Sequence, residues 1–318
     1  MTSSDRDPFF LIDLDQRLAG YREFLSCWVH KGSKAAVIVD PGPASTADFL
    51  AQELENQGIR KVDLILLTHI HLDHSGGVGH LLRHFPAAHV FCHAKGRKHL
   101  EDPERLWEGS LSVLGEVAEQ YGKPLPVPSI AFADDMDLRP HNVLAVPTPG
   151  HASHHLSFIM EGCLLAGEAI STRCPVPPPH QDELYLRPAT PHRFFLETTL
   201  KSIDDLLAIQ NLPDELLFAH YGRVKGSRRV IEGARRQIVQ WLGAVKDAIG
   251  IDFPAELAGD ELEALAVRVH ERMLEEDPFY KWFVHLETDI RERERYYVKQ
   301  SVAGMAEYLR SRSDGRGK

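Results

Sequence analysis

The chain has 318 residues, 43% hydrophobic and 26% charged, a composition that excludes wholesale disorder and suits a globular protein with one large core, with or without an appendage. A formal net charge of −10 argues against a broad phosphate-binding surface and so against nucleic acid as a partner. Four dispersed cysteines with no C-x-x-C pair exclude a disulfide scaffold, and the polar start and the lack of any membrane-length apolar stretch make the expected location cytoplasmic, with no membrane partner.

Phe9 to Leu14, Phe24 to His30 and Ala35 to Val39 read as strands, and the third ends in the turn Asp40-Pro41-Gly42-Pro43. A helix from Thr46 to Gln57, with Phe49, Leu50 and Leu54 on one face, closes at Gly58. Val62 to Leu67 is a short apolar run of the kind that forms a buried strand. Val78 to His84 is a short helix stopped by Pro86, and His89 to His93 is another strand. Residues 94 to 122 read as helix and loop, and the prolines of the 123–128 segment keep it extended. Strands follow near Ile130 to Phe132 and at Val143 to Val146, Leu156 to Met160 and Cys163 to Ala166. Helical periodicity returns at Glu197 to Gln210 and Arg228 to Ile249, around a strand at Glu215 to Ala219. From 251 onward the chain reads as helix, notably Glu261 to Glu275 and Asp289 to Arg310, with disorder expected from Ser311 to Lys318.

The chemistry sits directly after the Val62 run. Thr68-His69-Ile70-His71-Leu72-Asp73-His74-Ser75-Gly76-Gly77 packs three histidines and a carboxylate into six positions. Extended backbone sends alternate side chains the same way, so His69 and His71 aim at one point, whereas a helix would set them about 200° apart. Asp73 and His74 follow in the turn and can aim at a second point, and the glycine pair lets backbone pass close by. Imidazole nitrogen and carboxylate oxygen suit divalent zinc, iron or manganese. The cluster reads as a metal site for one ion or two.

This stretch resembles the T-H-x-H-x-D-H signature of the metallo-β-lactamase superfamily of metallohydrolases, and later strand ends extend the likeness. Thr148-Pro149-Gly150-His151 resembles the motif carrying the third histidine of the first metal. Ala219-His220-Tyr221 resembles the last motif, which supplies the remaining histidine of the second. Gly167-Glu168 stands where family members usually have Gly-Asp, whose carboxylate bridges both metals. Glu168 keeps the donor type on a side chain one methylene longer, so it can bridge, bind one ion alone or stand behind a ligand.

The resemblance covers roughly residues 9 to 222 in motif order. It implies an α/β (α+β) fold, the αββα sandwich of that superfamily over 1–250, and the helical reading of 251–318 makes that segment a C-terminal helical extension about which the resemblance says little. It implies a first site of His69, His71 and His151 and a second of Asp73, His74 and His220, with Glu168 between or beside them, holding one or two Zn2+ ions, or Fe or Mn. His155 is expected to orient a ligand, and His154 to be structural or exposed.

The function implied is hydrolysis by a metal-bound hydroxide, with Asp73 orienting the nucleophile and shuttling a proton. Tyr221 is a candidate donor to a developing oxyanion. The expected substrate is a small-molecule ester or thioester, by resemblance to the hydroxyacylglutathione hydrolases. A lactonase, a nuclease-like phosphodiesterase and a non-catalytic metal- or ligand-binding protein are the alternatives. Phe279, Tyr280, Trp282 and Phe283 are expected to pack in a core or to form a lid or homodimer surface. The loop Pro175 to His180 is a rigid surface connection or a wall of the pocket, with His180 and Tyr185 as candidate substrate contacts.

Overall fold

The computed structural model describes residues 9–32, 36–250 and 257–313. The polar start, Ala35 and everything from Asp314 onward lie outside them. Strands β1 (Phe9–Asp13), β2 (Ser26–Lys31), β3 (Ala36–Val39), β4 (Val62–Leu66) and β5 (His89–Phe91) form one sheet in that order, antiparallel up to β3 and parallel beyond it. Three further strands, β6 (Leu144–Pro147), β7 (Leu156–Met160) and β8 (Cys163–Gly167), run antiparallel to one another. A separate ribbon pairs β9 (Thr172–Cys174) with β10 (Tyr185–Arg187). Then β11 (Glu215–Phe218) and β12 (Arg223–Lys225) complete the second sheet in the order β12-β11-β8-β7-β6.

The helices of the first half are α1 (Ala47–Asn56), α2 (Leu72–Ser75), α3 (Val78–His84), α4 (Ala94–Glu101), α5 (Glu104–Leu114), α6 (Glu116–Tyr121) and α7 (Asp135–Leu138). Those of the second half are α8 (Leu196–Leu207), α9 (Ser227–Ile249), α10 (Gly259–Glu276) and α11 (Thr288–Ser313).

Strand periodicity divides each apolar run between two cores. In β4, Leu64 and Leu66 point into the space between the sheets, where they meet Phe158 and Leu165, while Ile65 points outward with Leu50, Leu54 and Leu81. In the second sheet Leu165 and Leu217 face inward, and Leu164, Leu216 and Phe218 face Ile203, Leu206, Val230 and Ile231 of α8 and α9. Strands buried on both faces need continuous apolar sequence, which is why these runs show no polar alternation. The result is the expected four-layer αββα sandwich. No helix among the described residues is long and apolar enough to cross a membrane.

Several expectations are corrected. The segment expected as a strand near Ile130 forms a single helical turn, Ser129–Ala131, and Phe132 makes only an isolated bridge to Val90. Asp134 caps α7 immediately afterwards, so no length is left for a ladder. The strands β9, β10 and β12, not foreseen, have three residues each, too short for a period to show. Ser311 to Ser313 continue α11 in place of the expected disorder.

The C-terminal helices share one core with the middle of the chain: Tyr280, Phe283, Val302 and Met305 pack with Trp241, Val245, Tyr185 and Phe194. Phe279, Tyr280 and Phe283 are thus packing residues, and Trp282 lies at the edge of this core under Lys281. Close approach is needed where α11 crosses the 190–191 segment, because a Cβ at Gly304 would fall within 3.0 Å of the Thr190 and Pro191 carbonyl oxygens. Alanine would gain about 1 kcal/mol of helix propensity there but lose about 1–3 kcal/mol to overpacking against backbone. Gly304→Ala is therefore expected to lower the urea midpoint, and a raised midpoint would show that this helix is not seated on that segment.

Candidate metal centre

Each expected ligand leaves the C-terminal end of a strand or the turn after it. His69 and His71 follow β4, His151 follows β6, Glu168 follows β8 and His220 follows β11. His71 precedes α2, a single helical turn that carries Asp73 and His74, so this part of the motif is helix and not open turn. All seven residues come together in two groups: His69, His71, His151 and Glu168 in one, and Asp73, His74 and His220 in the other. Within each group the donor atoms lie within 4.8 Å of one another.

Hydrogen bonds on the far sides of the rings fix which nitrogens face inward. Asp40 is 3% exposed, and its carboxylate accepts from the Thr68 amide (2.8 Å) and the Thr68 hydroxyl (2.7 Å). With its proton committed to Asp40, the Thr68 oxygen accepts from His69 Nδ1 at 3.0 Å, which leaves His69 Nε2 with a bare lone pair. Asp40 also accepts from His74 Nδ1 at 3.2 Å, and the Ala189 carbonyl accepts from His151 Nδ1 at 3.1 Å. The inward nitrogens then crowd one another: His71 Nδ1 lies 3.0 Å from both His69 Nε2 and His151 Nε2. Lone pairs held that close repel unless a cation sits among them, and donors bound to one ion at about 2.1 Å stand roughly 3–4 Å apart. His74 Nε2 is buried with no hydrogen-bond partner, as a ligand nitrogen would be. The residues fit divalent metal.

Glu168 reaches both groups. One carboxylate oxygen lies 3.1–3.4 Å from His151, His74 and His69, and the other lies 3.6 Å from His220. Its entry depends on Gly167, which has φ +57° and no room for a Cβ against the His155 ring and Thr68. His155 Nε2 accepts from the Glu168 amide at 3.0 Å, so its Nδ1 donates to Thr148 at 2.9 Å, and that hydroxyl donates to Ser157. His155 therefore positions Glu168 from behind, with both nitrogens engaged. His154 is half-buried beside His71 and lines the cavity, its buried Nδ1 without a partner.

The charges agree with this. Burial, reinforced by neighbouring imidazoles, pushes His69 and His71 well below the ordinary histidine value and keeps them neutral. Burial would raise Glu168, but His151 and His220 outweigh it and hold the carboxyl well below the usual range. Burial also opposes charge on His74, yet Asp73, Asp40 and Glu168 together hold it well above the ordinary value. The carboxylates favour a positive charge at that point, which a metal ion satisfies as well as a proton does.

Residues 20–220 match the sequence profile of the metallo-β-lactamase superfamily. The chain belongs to that superfamily. Among its relatives is a metallo-β-lactamase fold-containing protein of Sulfurisphaera tokodaii, 27% identical over 80% of this chain and 92% of its own length. A probable metallo-hydrolase of Methanocaldococcus jannaschii is 29% identical over 48% of this chain and 71% of its own. A hydroxyacylglutathione hydrolase of Aeromonas salmonicida is 27% identical over 69% and 70%. The fold is shared with a metallo-β-lactamase family protein of Thermus thermophilus, at TM-score 0.62 and 20% identity over 96% of this chain and 94% of that one. Divalent metal binding is what this superfamily fold implies, and the two clustered groups are candidates for its donors.

The superfamily centre opens into a cavity of about 1200 Å³ whose walls carry residues not foreseen from sequence, among them Arg187, Tyr121 and Tyr297. Three other expectations do not fit. The Tyr221 phenol is turned to Asp13 and away from the cavity, and Arg173 binds its carbonyl. Tyr185 is buried and donates to Glu294 at 2.9 Å. The proline-rich loop packs Val176 into the C-terminal core and stacks His180 on Trp282 and His285, so it does not wall this cavity. Asp40 was legible only as a turn residue; the signal was its place at the end of the strand that pairs in parallel with β4.

Asp40→Asn keeps the shape of the side chain but leaves Thr68 and His74 one acceptor short. Metal affinity, measured by chelator competition, is expected to fall about ten- to a hundred-fold. Unchanged affinity would remove Asp40 from the account of ligand orientation.

Proposed function

We propose that the protein hydrolyses a small-molecule ester or thioester, using two divalent ions, zinc first among the candidates and iron or manganese next. The observation that carries this reading is the convergence of His69, His71, His151, Asp73, His74 and His220 around Glu168 on the cavity wall. Divalent cations held by these residues would supply Lewis acidity, lowering the pKa of a bound water towards neutrality and polarising an acyl oxygen. The remaining work belongs to the chain. Asp73 keeps 15% of its side chain exposed and lines the cavity, placed to orient an attacking water and take its proton.

The donor role that fails for Tyr221 falls to Tyr121 and Tyr297, whose hydroxyls lie 3.2 Å apart and which both line the cavity. Burial, with the nearby Asp73 charge adding to it, pushes both phenols well above their ordinary value, so they stay protonated, and the hydroxyl that accepts from the other can donate a hydrogen bond to a leaving group. Support for a thioester comes from the hydroxyacylglutathione hydrolases among the relatives. Lactones, as cyclic esters, need the same groups. Lys95, Lys98 and Arg105 on the cavity wall favour a phosphodiester as the second reading.

A panel of thioesters, lactones and phosphodiesters tests these readings together with metal analysis. Two metal ions per chain, loss of turnover on chelation and severe loss in His69→Ala and Asp73→Ala are expected. Full turnover by metal-free protein would overturn the proposal.

A further inference from the structure

The geometry points to Arg187 as the receptor for a carboxylate carried by the substrate, an inference that rests on the hydrolase reading above. Arg187 ends β10, is 3% exposed and lines the cavity. Its Nε donates to Glu294 at 2.9 Å, and its Nη1 donates to the Pro188 carbonyl at 3.1 Å and to Ser301 at 3.2 Å. The guanidinium lies over the Tyr297 ring, 5.2 Å from its centroid. Nη2 donates to no described residue, and unlike Nε of Arg97 and Arg173 it is not sealed from solvent.

The counter-charge of Arg187 is shared. Glu294 is shared with Arg293, which donates to it at 3.0 Å, so one buried carboxylate serves two guanidiniums. Tyr185 and Cys174 beside them stay neutral, because burial raises both. Glu168, whose charge also acts on Arg187, is surrounded by the four histidines of the metal groups. A buried guanidinium that shares its counter-ion is incompletely compensated, and its Nη2 belongs to a side chain that lines the cavity. An Nη2 hydrogen outside the Glu294 contact suits one carboxylate oxygen in a charge-assisted hydrogen bond. The position suits the chemistry as well: Pro188 alone separates Arg187 from Ala189, whose carbonyl orients His151, so the carboxylate would sit close to the reacting bond.

The test uses zinc-loaded full-length protein and three thioesters: butyryl-N-acetylcysteamine without a carboxylate, succinyl-N-acetylcysteamine with one on the acyl side, and butyryl-glutathione with carboxylates on the leaving group. At least one carboxylate-bearing substrate is expected to exceed the neutral one in kcat/KM by about ten- to a hundred-fold. Which one does so tells on which side of the scissile bond the anion lies. Arg187→Lys keeps a cation for Glu294 but has no second nitrogen to offer the substrate, and Arg187→Gln loses the charge; both should bring the ratio towards one, mainly through KM. Equal kcat/KM for all three in the wild type, or a ratio unchanged in Arg187→Lys, overturns the inference while leaving the hydrolase reading standing. If none of the three is cleaved, the thioesterase reading fails and calorimetry with succinate and glutathione decides. At least ten-fold weaker binding of either by Arg187→Lys then supports Arg187 as the receptor, and equal binding of both overturns it.

Discussion

The buried carboxylate of Asp40 is the point on which the candidate metal centre depends. It accepts from the Thr68 amide, the Thr68 hydroxyl and His74, and through that hydroxyl it sets the tautomer of His69. Burying an anion costs several kcal/mol unless donors surround it, and here the donors are the groups that must be oriented. One residue thereby aims a lone pair in each of the two ligand groups. Removing it would leave the imidazoles free to present N–H where a lone pair is needed.

Layering explains why the ligands meet. Strands β3 and β4 run parallel, so Asp40 and Thr68 emerge side by side, and β8 and β11 do the same for Glu168 and His220. The two sheets are locked face to face by Leu64, Leu66, Phe158 and Leu165, which brings both sets of strand ends to one rim of the sandwich. Ligands in open sheets gather beyond the carboxyl ends of the strands for the same reason. The C-terminal helices then add a wall: α11 contributes Tyr297 and Gln300 to the cavity and is fixed by the Arg187–Glu294–Arg293 cluster and by the crossing at Gly304.

The electrostatics of the cavity run against those of the chain. The whole sequence carries −10, yet the cavity lining includes Lys95, Lys98, Arg105, Arg187 and Arg193 against only Asp73 and Glu168, both turned to the metal groups. Net charge governs solubility and long-range encounter, whereas a small cleft feels the few charges that line it. A chain too acidic for a broad nucleic-acid surface can still hold a small anion in such a cleft.

By itself the sequence determined most of the strand runs, most of the helices and all seven clustered side chains, because apolar period and a dense local motif are properties of neighbouring residues. His69, His71, Asp73 and His74 lie within six positions, and His151, Glu168 and His220 each follow an apolar run that marks a strand end. What only the tertiary structure decided were the roles that depend on partners far along the chain. Asp40 looked like a turn, Tyr221 faces Asp13, and Arg187 meets Glu294 more than a hundred positions away. A side chain's direction at a strand end is set by packing across layers, and no local pattern encodes which buried group it will meet.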